Sequence, residues 1–135
     1  MEGRRAWRRQ ALQALYAVGV GHRDAAEAID EIVGASASSE HRAFVRDLVL
    51  GTIEFTSEAD AMIGPLLEGW TIERLPSIDR SLLRMGTFEL GTRPQTPAAV
   101  VINEAVELAK KFSTEDSGRF VNGVLSAIAR AYASS

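Results

Sequence analysis

The chain has 135 residues, enough to build one hydrophobic core and rarely two, so a single domain over 1–135 is expected. Hydrophobic residues make up 46% and charged residues 24%, which excludes a disordered chain, and the lack of cysteine excludes disulfides, thiolate metal sites and cysteine nucleophiles. The formal net charge of −3 is unevenly spread: residues 1–23 hold five arginines against Glu2 alone, about +4, leaving about −7 for the remainder.

Apolar residues recur at helical spacing almost throughout and no stretch alternates as a strand would, so the expected fold class is all-α, with about seven helices. A first helix is predicted over 4–19, with Leu12, Leu15 and Tyr16 on one side and an end near Gly19 and Gly21. Gln13 and Tyr16 interrupt the apolar stretch 11–21 and no clear small-residue cleavage site follows, so the stretch does not read as a secretory leader. No segment approaches the roughly 18 apolar residues of a membrane span, and a cytoplasmic protein without membrane attachment is expected.

A second helix is predicted over 24–33, carrying Ala25, Ala28, Ile29 and Ile32 and stopping at Gly34. The small, polar segment 35–39 reads as a linker whose serines can cap the next helix. That third helix runs from about Glu40 to Phe55, with Phe44, Val45, Leu48, Val49 and Thr52 at core spacing. Ser57 with Asp60 resembles a capping box and predicts a fourth helix over 58–69. Pro76 and Ser77 open a fifth over 77–91, with Ile78, Leu82, Met85 and Leu90 facing inward. Thr96 as cap and Pro97 in the first turn open a sixth over 97–112. A seventh covers 115–132, where Val121, Leu125, Ile128 and Tyr132 share a face.

Catalysis needs converging groups, and the sequence offers none: His22 and His41 fit neither a metal-ligand spacing nor a nucleophile motif and read as surface residues. Glu104, Glu107 and Lys111 sit at helical spacings where solvated charge pairing suffices, and no glycine-rich phosphate loop appears. A non-enzyme with no metal and no cofactor is expected. The first helix is more telling. At 100° per residue, Arg4, Arg5, Arg8 and Arg9 fall within an arc of about 140° that also holds Leu12, Leu15 and Tyr16. With the leucines in the core, the arginines would stand close together in water on the first two turns. Clustered cations contribute little to folding, so a polyanionic partner explains them better than stability does, an ordinary solvated basic terminus being the alternative. Lys110 and Lys111 end the sixth helix, where cations complement the helix dipole without any ligand. Phe120, at the edge of the seventh helix's apolar stripe beside Arg119, could either pack inward or stack on a base. These residues alone leave an RNA binder and a helical adaptor that contacts only protein nearly equal.

The run Ile102-Asn103-Glu104-Ala105-Val106-Glu107-Leu108-Ala109-Lys110-Lys111-Phe112, followed by Phe120-Val121-Asn122-Gly123-Val124-Leu125, resembles the C-terminal signature of the NusB family. Ala11-Leu12-Gln13-Ala14-Leu15-Tyr16 is similar to the family's opening, and Ile78-Asp79-Arg80-Ser81-Leu82-Leu83-Arg84 with Glu89-Leu90 to its central helix. Gly86-Thr87-Phe88 departs from a more usual small-residue and tyrosine run, and acidic residues usual after the opening tyrosine are missing. The resemblance implies a seven-helix protein that binds boxA single-stranded RNA together with NusE, a small-subunit ribosomal protein. It would act within the RNA polymerase antitermination complex, especially on ribosomal RNA operons, and self-association into a homodimer is compatible with it. It also implies that Arg4, Arg5, Arg8, Arg9, Lys110, Lys111, Asp116, Ser117, Arg119 and Phe120 face RNA and that Tyr16, Asp79 and Arg84 face NusE. The same module occurs fused to RNA cytosine methyltransferases, and a chain of 135 residues with one domain would lack that catalytic part.

Overall fold

The computed structural model describes residues 3–134, and these gather into two compact units, one through Ile53 and one from Glu54. The first unit holds α1 (Gly3–Gly19), α2 (Ala25–Val33) and α3 (Ser39–Glu54), with α1 packed on α2. Helix starts are set by side chains that accept orphan backbone amides. Asp24 accepts from the Glu27 amide at 3.1 Å ahead of α2, and Ser38, in the linker expected to cap, accepts from the His41 amide at 3.0 Å ahead of α3. Ala11, Leu12 and Ala14 of α1, Ala28, Ile29 and Val33 of α2, and Val45, Leu48 and Val49 of α3 are buried. Tyr16, expected beside Leu12, is 47% exposed, and Phe44 is only half-buried.

The second unit holds α4 (Thr56–Ile63), α5 (Ser77–Thr92), α6 (Ala98–Phe112) and α7 (Glu115–Ala133), with single 3-10 turns at Gly64–Leu66 and Ile72–Arg74. Helix α7 lies against both α5 and α6, which also touch each other, and α4 packs on α5. The core uses Leu82, Leu83 and Met85 of α5, Val101, Leu108 and Ala109 of α6, and Val121, Leu125 and Ile128 of α7. Thr114 caps α7, its hydroxyl accepting from the Ser117 amide at 2.9 Å. Tyr132 is half-buried, and desolvation, with the Glu58 carboxylate adding to it, raises its phenol above the ordinary 10.0. The stability tied to that neutral phenol is therefore full below pH 10.0 and lost as pH rises through the raised value.

The all-helical expectation holds, with no strand among the described residues. Three boundaries differ. Ser57 and Asp60 form no capping box: α4 begins at Thr56 without a side-chain cap, because Asp60 is drawn into an ion pair with Arg84. Helix α4 stops at Ile63 instead of 69, since Pro65 disfavours helical backbone before it and the chain tightens into a 3-10 turn. Pro97, not Thr96, is the capping position of α6, and the Thr96 amide closes a turn to the Arg93 carbonyl at 3.0 Å. Among the described residues no helix is long and apolar enough to cross a membrane.

The departure at Gly86 has a packing reason. A Cβ built there would lie 2.7 Å from Leu125 Cδ1 and 2.9 Å from Cδ2, and Leu125 is fully buried. Overpacking costs about 1–3 kcal/mol, offset by about 1 kcal/mol of helix propensity gained over glycine. Gly86→Ala is therefore expected to lower stability by roughly 1 kcal/mol in denaturant titration. A more stable variant would show that Leu125 repacks freely.

Candidate functional site

Helix α1 carries no acidic residue in its first turn, and its N-terminal half holds Arg4, Arg5, Arg8 and Arg9. Cations at a helix N-terminus oppose the macrodipole by about 0.3–1 kcal/mol each at low salt, so this placement works against the helix that bears it. The structure corrects the expectation that all four stand in water. Arg4 and Arg5 are exposed and Arg9 is half-buried, but Arg8 is only 5% exposed, its guanidinium 5.5 Å from the Phe44 ring centroid. Arg4 lies 4.8 Å from the Phe44 centroid and 5.6 Å from that of Trp7, and its Nη2 approaches Glu40 at 3.6 Å.

Trp7 and His41 are functional candidates that the residue pattern did not reveal. Their rings stack at 4.8 Å with planes 10° apart, and His41 Nε2 lies 2.6 Å from Gln10 Oε1. His41 is thus half-buried and engaged, in contrast to the surface position expected of it; His22 is exposed. The signal available in sequence was a tryptophan set between Arg4-Arg5 and Arg8-Arg9.

In the second unit the expected residues occupy the junction of α6 and α7. Lys110 and Lys111 are exposed; Lys110 approaches Glu107 at 3.6 Å, and Lys111 lies 5.6 Å from the Phe112 ring centroid. Asp116 and Arg119 are exposed and paired with each other one turn apart. A polar groove of about 560 Å³ runs along α6 and α7, lined by Asn103, Glu107, Lys110, Arg119, Asn122 and Ser126. Gly118 makes it possible, since a Cβ there would sit 2.7 Å from Lys110 Cγ and push that side chain aside. Cationic ends beside amide and hydroxyl groups suit a phosphodiester backbone.

Arg119 also borders a more apolar cavity of about 610 Å³, whose walls include Leu66, Trp70, Leu75, Phe120 and Val124. Trp70 is 60% exposed and Phe120 half-buried, so both present ring surface. Trp70 sits in irregular chain after Gly69, outside any amphipathic stripe, and periodicity alone could not single it out.

Asp79, expected to face a protein partner, and Ser117, expected to face RNA, are instead joined to each other. Both are buried, at 4% and 7% exposure, and Ser117 Oγ donates to Asp79 Oδ2 at 2.8 Å. The serine has one proton to give, so Thr114 Oγ1 at 3.1 Å acts as donor to it. Asp79 Oδ1 is buried with no hydrogen-bond partner among the described residues, and the residue lines the apolar cavity. Arg84 is likewise engaged: its Nε and Nη2 donate to the two Asp60 oxygens at 2.8 Å each, a bidentate fork about three-quarters buried. Tyr16 is the expected partner residue that lies openly at the surface. No group of three or more His, Asp or Glu side chains among the described residues could hold a metal ion.

The sequence pattern of the NusB family matches residues 5–130. The transcription antitermination protein NusB of Halalkalibacterium halodurans is 44% identical over 131 residues, covering 96% of this chain and 95% of that protein. NusB of T. maritima superposes with a TM-score of 0.90 at 35% identity, covering 96% of this chain and 92% of the other. A chain from the crystal structure of antitermination factors NusB and NusE in complex with double-stranded RNA superposes with a TM-score of 0.85. It is 30% identical, and the match covers 98% of this chain and 99% of that one. Coverage of this extent leaves no element of the fold unmatched, and the chain belongs to the NusB family.

Proposed function

We propose that the chain is a transcription antitermination factor that binds boxA-type single-stranded RNA together with NusE, within the RNA polymerase antitermination complex on ribosomal RNA operons. The observation that carries this reading is the arginine cluster at the start of α1, which opposes the helix dipole and has no counter-acid in the first turn. The solved complex of NusB and NusE with double-stranded RNA supports the partnership. Single strands are favoured here because Phe120 and Trp70 offer ring faces that only unpaired bases can reach. Action as a binder without catalysis, in the cytoplasm and as one domain spanning both units, belongs to the same proposal. Titration of boxA RNA with the protein, alone and with NusE, against a scrambled strand and a duplex, tests it. Tighter binding of the boxA strand, enhanced by NusE, is expected; NusE binding without RNA binding would leave a protein-only adaptor.

Phe120 decides between packing and stacking. A fully buried ring would cost about 3–5 kcal/mol on truncation, but this ring is half-buried at the rim of a cavity. Phe120→Ala is expected to lower RNA affinity roughly tenfold, within the 1–3 kcal/mol of a stacked base, with a smaller loss of stability. Melting and RNA titration of the same variant check this. A large fall in melting temperature with unchanged affinity of the folded fraction would return Phe120 to the core.

A further inference from the structure

Four arginines on two turns of one helix repel one another, and each long side chain gives up rotamer freedom when it binds. The first unit contains a device that acts on both costs at Arg4. Its guanidinium lies against two rings, Phe44 at 4.8 Å and Trp7 at 5.6 Å. Trp7 is itself fixed: it stacks on His41 at 4.8 Å and tilts against Phe44 at 5.5 Å and 54°. His41 is held at 2.6 Å by Gln10 Oε1, while Gln10 Nε2 reaches the Ile32 carbonyl at 3.4 Å. Residues of α1, α2 and α3 thus converge on one cation. Glu40, at the start of α3, sits 3.6 Å from the same guanidinium, in the position an RNA phosphate would claim.

We infer that Trp7 and Glu40 set the RNA affinity of the α1 arm in opposite directions, Trp7 as a positioning residue that pre-orders Arg4 and Glu40 as an internal competitor that a phosphate must displace. The inference rests on the reading of the arginine cluster as an RNA surface. Trp7 touches RNA through Arg4 and not by itself, since His41 and Arg4 occupy its ring. Glu40 is 73% exposed, so its pairing with Arg4 is weak enough to be exchanged.

The test is a titration of fluorescent boxA single-stranded RNA at moderate salt, with melting and NusE binding measured alongside. Trp7→Leu keeps apolar bulk but removes the ring, and is expected to weaken RNA binding about two- to fivefold, the worth of an exposed cation–π contact. Trp7→Phe restores most of the loss, and Trp7→Leu adds nothing once Arg4 is already alanine. Glu40→Gln is expected to tighten binding by up to about fivefold, the upper range for an exposed ion pair. Asp47→Asn, with the same charge change two turns along α3, does so less. NusE binding stays constant throughout. An unchanged affinity for Trp7→Leu, an equal loss in the Arg4→Ala background, or equal gains at Glu40 and Asp47 would overturn the inference. If alanine at Arg4, Arg5 and Arg9 leaves affinity intact, the RNA reading of the arm itself falls; if that variant binds weakly while Trp7→Leu binds normally, only the inference falls.

Discussion

Alanine at Arg4, Arg5 and Arg9 together is expected to lower affinity for boxA RNA by roughly 25-fold if two phosphate contacts are lost and roughly 100-fold if three are, near 0.1 M salt. The figure follows from counterion release on single strands, about 0.7 in the logarithmic salt slope per contact, taken from a 1 M reference. Arg8 is left in place because its side chain is buried against Phe44, so that its removal would test packing as much as binding. The three replaced residues are exposed or half-buried, and the helix loses charges that oppose its own dipole, so melting should hold or rise slightly. Binding measured across a salt series separates the readings: affinity and slope unchanged from wild type would take these arginines off the RNA surface.

Asp79→Asn is expected to weaken NusE binding by about 2 kcal/mol, near thirtyfold, if the carboxylate meets a cationic group of the partner in the apolar cavity. The buried, unpartnered Oδ1 motivates this: a carboxylate oxygen there gains more from a donor than an exposed one would. Asparagine keeps an oxygen for the Ser117 hydroxyl, so folding should change by less than about 1 kcal/mol, and RNA binding by the isolated protein should persist. Charge reversal at Asp79 or Arg84 is a poorer probe, because one is buried and the other spends its fork on Asp60. Full NusE affinity in a less stable Asp79→Asn protein would confine the residue to an internal role.

Local chemistry made much of this molecule readable in advance. Asp24 and Thr114 announce α2 and α7 because a cap is a contact between residues three apart, which a linear chain displays. Leu12, Val45, Leu82 and Val121 are buried where helical spacing puts them. Long-range partners were hidden. Asp60 looked like a capping acid because nothing near it in the chain shows Arg84 reaching across 24 residues. Arg8 looked solvated because its cover, Phe44, belongs to another helix. The RNA and NusE assignments for Asp79 and Ser117 came from family resemblance, and their joining by one hydrogen bond is a property of α5 packed on α7 that neither segment carries alone.

That bond has a bearing on how such a sequence can change. Ser117 gives its only proton to Asp79, and Asp79 has no other donor among the described residues. Alanine at 117 would strand a buried carboxylate, and an apolar residue at 79 would strand a buried hydroxyl. Positions 79 and 117, separated by 38 residues, therefore behave as one two-letter word: either letter altered alone leaves a buried polar group unanswered, so viable drift passes through paired replacements.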